Sequence, residues 1–287
     1  MTHAANLTIA IKQLDSLPGM PAIAQKLLAL ALDTDEGEAQ LLKLIEQDPI
    51  IAAKIIGLAN SPMFGSSRKV NSVSDAAMLL GLTRVKSVAI GIATVSAITR
   101  IPEGVLKAND LWQHSIAVAL VMRTLARAMP ANNRPLDDVI FLAGLLHDIG
   151  FMALAYLNTD ASDAVHTALL AQPERAIQDI EHELIGITHN AIGAQLARHW
   201  DLSEEIIAVI RYHHQPADKG AEAGQPLVTL VNFAEHLLAD FGIVEHTGLE
   251  LTEQDWQSLG IDPDKAEGLI EKIAEISEQA KQMSGAV

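Results

Sequence analysis

The chain contains no cysteine, which excludes both a disulfide framework and a thiolate zinc site. Aromatic residues are scarce, at 3%, while hydrophobic residues reach 49%, chiefly Ala, Leu and Ile. That balance suits packed helices, where small and γ-branched side chains fill the grooves between neighbours. Runs of Lys and Arg are also missing, and the net charge of −16 opposes binding to phosphate backbones. The N-terminus lacks a basic region followed by an apolar run, so no secretory signal is expected. What is present is length: 287 residues hold one large domain or two modest ones with an ample core.

Helical periodicity recurs almost everywhere and strand-like alternation almost nowhere, so an all-α fold is expected. Pro18-Gly19 and Pro21 punctuate a turn, and a helix follows to residue 32. A polar link at 33–38 leads into a helix ending near Gln47, and Asp48-Pro49 reads as N-cap and first helical position of the next. Ser74 or Asp75 can cap a helix stopped by Gly81, and Thr83 can cap its successor, which runs to residue 98. Residues 101–104 suit a boundary between an N-terminal lobe, 1–105, and a second lobe, 106–287, with a C-terminal helix. In the second lobe, helices are expected at 111–129, from 136 through the His147-Asp148 pair, and at 160–171, 173–183, 188–200, 204–212 and 226–240. Residues 218–224 read as a surface loop, and Asp262-Pro263 opens a final helix to about 283.

His147 and Asp148 lie inside the apolar stretch 139–157. The stretch has roughly the length to span a bilayer, but these two residues at its middle point instead to a buried functional helix. No membrane association and a cytoplasmic location are therefore expected. A buried unpaired carboxylate costs several kcal/mol, so Asp148 requires a partner, a cation or a cavity. Consecutive helical residues project about 100° apart, so the pair grips one ion only near a distorted helix end, or else touches two neighbouring sites. His114 on an antiparallel helix, His189, and His213 and His214 at a helix end can supply further ligands. His189 shares a face with Gly193, where a second helix or a ligand can approach closely. Glu235, mid-helix on an apolar segment, reads equally as a ligand and as a surface carboxylate. Nitrogen and oxygen donors without sulfur suit one or two divalent ions: Fe, Mn, Zn or Mg.

The order His114, His147-Asp148 and a later carboxylate resembles the HD superfamily of metal-dependent phosphohydrolases. The N-terminal half narrows the resemblance to the HDOD (HD-related output domain) family. The residues that carry it are Leu17-Pro18-Gly19-Met20-Pro21, the run from Gln47-Asp48-Pro49 to Ile56, and Ala59-Asn60-Ser61-Pro62-Met63-Phe64-Gly65. Further ones are Ala76-Ala77 before Leu79-Leu80-Gly81, and the segment from His189 to Trp200-Asp201-Leu202. The resemblance covers roughly residues 10–240 and implies a two-lobed, all-helical module linked to bacterial signalling. Many members of that family have lost the metal ligands. Here His114, His147, Asp148, His189, His213 and His214 match ligand positions of catalytic HD relatives, and Glu235 stands where those relatives usually have Asp. Phe151 occupies a place where hydrolytic relatives often carry Lys, and no Gly-Tyr-Pro follows His214.

Three functions follow. The first is a signalling module that binds a protein partner or a small phosphorylated ligand while retaining its metal site. The second is a metal-dependent phosphohydrolase acting on a phosphoester or nucleotide, with Asp148 and His147 as the catalytic pair. The third, a DNA-binding regulator, rests only on residues 77–88, where Gly81 separates two helices, and the acidic balance opposes it. Arg84 and Lys86 are distant in sequence from the His-Asp pair, and Arg123 and Arg211 lie on histidine-bearing helices. No phosphate clamp beside the pair is evident, so a metal site without nucleic-acid binding and with little turnover is the expectation.

Overall fold

Local capping chemistry sets many helix starts in this protein. The computed structural model describes residues 18–64, 69–98, 104–238 and 250–281, and every regular element among the described residues is helical. The chain begins with α1 (Ala22–Leu28), α2 (Asp35–Glu46) and α3 (Pro49–Ala59). Thr34 and Asp48 cap α2 and α3 by accepting backbone N–H bonds, and Pro49 sits where its missing N–H is harmless. The expected extension of α1 to residue 32 does not form. Lys86 reaches across to donate to the carbonyls of Leu28 and Leu30, at 3.5 and 2.6 Å, and so satisfies the carbonyls at the helix end. Asn60 then clasps Val70 by two hydrogen bonds of 2.8 Å, closing the connection that follows α3.

The next start differs from expectation by one residue pair. Ser72, not Ser74 or Asp75, caps α4 (Val73–Leu80), because Ser72 has the extended backbone that lets its hydroxyl accept from Asp75 N–H. Gly81, at φ 89°, ends α4. α5 (Leu82–Ile98) leaves at 118° and already contains Thr83, which is therefore not its cap. The boundary expected at 101–104 falls, Gly104 apart, outside the described residues.

The second half holds α6 (Ala108–Ala128), α7 (Asp137–Leu146), α8 (Ile149–Leu157), α9 (Thr159–Ala171) and α10 (Ile177–Leu184). It continues through α11 (His189–His199), α12 (Glu204–Tyr212), α13 (Leu227–Leu237), α14 (Glu253–Ser258) and α15 (Ala266–Lys281). Residues Lys219–Gly224, read from sequence as a surface loop, form a 3-10 helix capped by Asp218, with Ala221 and Gly224 buried. The apolar stretch Val139–Leu157 is mostly buried within the helical body. It is two helices, α7 and α8, and not one.

α5 packs on α1 and α3 and also on α7, while α15 packs on α6 and on the 3-10 turn Pro62–Phe64. Residues of both halves share one apolar core, so the division into lobes at residue 105 is a proposal about organisation. Trp200 adds a polar tie between the halves, its indole N–H donating to Pro18 O at 2.8 Å. Around the His-Asp pair the packing depends on missing side chains. A Cβ on Gly144 would meet the Ala119 backbone of α6, and one on Gly150 would strike the His189 carbonyl oxygen. Gly193 faces Gly150, so the element it admits is helix α8.

Gly150→Ala is therefore expected to destabilise the protein by about 1–3 kcal/mol or more, because the obstacle is backbone that cannot swing aside. Gly268→Ala, on α15 with nothing within 4 Å of the added methyl, should stabilise by roughly 0.5–1 kcal/mol. Urea unfolding of both variants checks the pair, and equal effects would contradict it.

Candidate metal centre

The helix carrying the His-Asp pair breaks at the pair. His147 ends α7, and Asp148 leaves helical geometry at φ −101° and ψ 15° before α8 begins. At this joint both side chains turn to the same side, where an unbroken helix would separate them by about 100°. α6 delivers His114, α11 delivers His189 from its first turn, and the C-terminal end of α12 delivers His213 and His214. α13 delivers Glu235, which is 6% exposed and not a surface carboxylate. All seven residues anticipated from sequence thus converge.

They form two groups, His114, His147, Asp148 and Glu235 in one and His189, His213 and His214 in the other. Within each group the potential ligand atoms lie within 4.8 Å of one another. Asp148 stands between the groups. Its Oδ2 is 3.1 Å from His147 Nε2 and 3.6 Å from His114 Nε2, while Oδ1 is 3.4 Å from His213 Nε2 and 3.7 Å from His189 Nε2. Glu235 Oε1 closes the first group at 3.0 Å from His114 and 2.9 Å from His147. The longer Glu side chain therefore reaches the position that a shorter Asp would need a closer helix to fill.

The outer ring nitrogens are tied back. His147 Nδ1 donates to Gly144 O at 2.7 Å, His213 Nδ1 to Val209 O at 3.2 Å, and His189 Nδ1 to Glu181 Oε1 at 2.8 Å. Oxygens that can only accept place the proton on Nδ1, which leaves three Nε2 atoms directed at Asp148. His147 Nε2 and both Asp148 oxygens are buried without a well-aligned hydrogen bond. Buried polar atoms seldom lack partners, and a divalent cation among these atoms would supply one. The residues fit such an ion: nitrogen and carboxylate donors, no sulfur, and anchored rings.

Three contributors were not legible from sequence. Glu181, fully buried, accepts from both the backbone N–H and Nδ1 of His189. The available signal was its place beside Ile177 and Ile180 on the buried face of amphipathic α10. Phe151 lies flat on His189, with ring centroids 4.1 Å apart and 14° between planes. Asn190 packs its amide 3.3 Å from the His213 ring and accepts from Gln178 at 3.2 Å. These residues hold imidazoles in place and need not touch an ion.

Charge divides between the groups. Burial works to lower His147 and His114, yet Asp148 and Glu235 outweigh it and hold both above the ordinary 6.5, His147 well above. Burial works to raise Asp148 and Glu235, yet His147 and His213 hold Asp148 well below, and His114 and His147 hold Glu235 far below, the usual carboxylate range. His213 and His214 are pushed down, first by burial and, for His214, then by His213 and His189. Protons thus neutralise the first group when no ion does, and His213 and His214 offer neutral rings.

An all-helical body that aims anchored imidazoles at one buried carboxylate is an architecture that could hold a metal ion. A family model described as HDOD domain matches residues 17–216, and the chain belongs to the HDOD family. A crystal structure from Marinobacter aquaeolei VT8, provisionally named a signal transduction protein, is 28% identical. The match covers 99% of this chain and 66% of that one, with a TM-score of 0.82. An HDOD domain protein of Geobacter sulfurreducens is 26% identical over 100% and 99% of the two chains, with a TM-score of 0.79. A provisionally named phosphohydrolase of Shewanella amazonensis SB2B is 25% identical over 97% of each chain, with a TM-score of 0.72. An uncharacterized protein of Treponema pallidum (strain Nichols) is 26% identical over 226 residues, 77% of this chain and 42% of that protein. The chain therefore spans less than half the length of that curated relative.

Divalent-ion binding is expected to release protons, since the raised His147 and His114 must deprotonate to ligate. Affinity should climb as pH rises above 6.5 through their folded-state values. Without an ion, the imidazolium contribution to stability is full below 6.5 and lost as pH rises through those raised values. The carboxylate contribution is present above the ordinary Asp value of 3.8 and lost as pH falls through the depressed one. Calorimetric titration of Mn²⁺ or Zn²⁺ in buffers of differing ionisation enthalpy measures the protons, and zero release at pH 7 would contradict the scheme. Glu181→Gln should weaken the ion about 10–100-fold by loosening His189, as read by competition with a chelator.

Proposed function

We propose that this chain is a bacterial regulatory HDOD protein of signal transduction that keeps an HD-type metal site for sensing or structure. The observation that carries the reading is the pairing of a complete ligand set with a missing phosphate clamp. His114, His147, Asp148 and Glu235 form one group and His189, His213 and His214 another, with the potential ligand atoms of each within 4.8 Å of one another. Among the described residues, no Lys or Arg forms an ion pair with Asp148, Glu181 or Glu235. The position where hydrolytic relatives often carry Lys holds Phe151, fully buried and spent on stacking His189. Phosphoryl transfer depends on positive charge placed around the moving group, and among the described residues no cation pairs with the carboxylates of this centre.

The second reading is a metal-dependent phosphohydrolase acting on a phosphoester or nucleotide. One observation favours it: Asp148 presents one oxygen to each ligand group, the arrangement that a pair of ions would share. When bound, such ions lower the pKa of water and clamp phosphate oxygens. In that reading Asp148 and His147 form the catalytic pair, and the residues Glu181, Phe151 and Asn190 keep the rings oriented.

The regulatory reading includes a cytoplasmic location, no membrane, no nucleic acid, and a protein partner or small phosphorylated ligand. Against DNA, α5 is a core helix, with residues 87–94 all buried, and the chain is strongly acidic. The test joins metal analysis of the purified protein to a hydrolysis screen of phosphomonoesters and cyclic dinucleotides with Mn²⁺, Fe²⁺, Zn²⁺ and Mg²⁺. The expected outcome is stoichiometric metal, loss of that metal in Asp148→Ala, and little or no turnover in either form. Hydrolysis above about 1 s⁻¹ that disappears in Asp148→Ala would establish the phosphohydrolase instead.

A further inference from the structure

We propose that a pocket lined by Arg84, Arg123 and Arg127 binds a small phosphate monoester with an apolar body, apart from the histidine centre. The pocket has a volume of about 350 Å³, within the range of small-molecule sites. Three arginines line it in a chain with 20 basic and 36 acidic residues. Among the described residues one carboxylate pairs with them, Asp137, whose Oδ2 lies 3.0 Å from Arg123 Nε. Three positive charges less one negative leave two, which matches the −1.5 to −2 of a phosphate monoester near neutral pH.

Arg84 is the informative member. Its guanidinium stands 5.9 Å from the Phe64 ring centroid and 5.8 Å from that of Phe141. Ring faces steady a cation but accept none of the in-plane N–H bonds of the fork. Among the described residues, neither Arg84 nor Arg127 forms an ion pair. Burial first, and then Arg123, push Arg84 down to about 10, a repulsion that a bound anion relieves. The Thr124 hydroxyl already donates to Leu120 O at 2.9 Å, so the donors on offer are the guanidiniums, which suit phosphate oxygens bidentately. Phe64, Leu79 and Ile276 supply apolar wall, which a bare inorganic anion leaves uncovered.

The pocket is not a subsite of the metal centre. Asp137 begins α7 and His147 ends it, a separation of about 15 Å along the axis. A single phosphate cannot touch both. α6 and α7 connect the two places, since α6 carries His114 and Arg123 and α7 carries Asp137 and ends at His147.

The test is calorimetric titration of the full chain, freed of metal by chelator, with phenyl phosphate, inorganic phosphate and benzoate. Phenyl phosphate should bind more tightly than either of the others. Arg127→Gln, at an exposed position, and Arg84→Lys, which keeps charge but loses the fork, should each weaken phenyl phosphate at least about tenfold. His147→Ala should leave it unchanged. Circular dichroism confirms folding, and if Arg84→Lys fails to fold, Arg127→Gln decides alone. No binding by about 10 mM phenyl phosphate, benzoate binding equally well, or unchanged affinity in Arg127→Gln overturns the proposal. Loss of binding in His147→Ala with retention in Arg127→Gln also overturns it, by placing the anion at the histidine centre. Because this readout uses metal-free protein, it stands or falls independently of the regulatory reading above.

Discussion

The carboxylate of Asp148 is fully buried, and a negative charge held out of water must be compensated or it unfolds its surroundings. Here compensation comes from imidazoles on four helices, with Glu235 sharing two of them. This constraint organises the second half of the chain. α6, α7, α11, α12 and α13 each deliver a side chain to one point, so displacing any of them exposes an uncompensated charge. The rings are positioned in turn by oxygens behind them, from Gly144, Val209 and Glu181.

Bringing five helices so close needs places where nothing protrudes. Gly144 lets α7 lie on the Ala119 backbone, and Gly150 and Gly193 let α8 touch α11. The break between α7 and α8 belongs to the same design, because it turns His147 and Asp148 to one side. Phe151 follows immediately and fills the space beside His189 with a flat ring. A phenyl ring there holds an imidazole still.

Much of this was readable along the chain. Asp48 and Asp262 cap where their neighbours imply, since a cap is decided by residues within one turn. The seven anticipated site residues stand together because chemistry-bearing side chains on apolar segments have few other reasons to be there. The failures have a common cause. α1 stops at Leu28 because Lys86, 58 residues away in sequence, takes Leu28 O. Ser72 outcompetes Ser74 through backbone direction, and the segment after Asp218 is helical because it packs on α12.

The sequence by itself determined the helical class, several of the caps and the family, and it picked out the histidines as candidates, all of which depend on residue type and short spacing. Only the tertiary structure decided that Asp148 divides its two oxygens between two ligand groups. It also decided that Glu235 is inside, that Glu181 and Phe151 support His189, and that Arg84, Arg123 and Arg127 share one pocket. Those outcomes depend on which faces meet when helices pack. Facing directions accumulate over every turn and loop between distant residues, so no local pattern contains them.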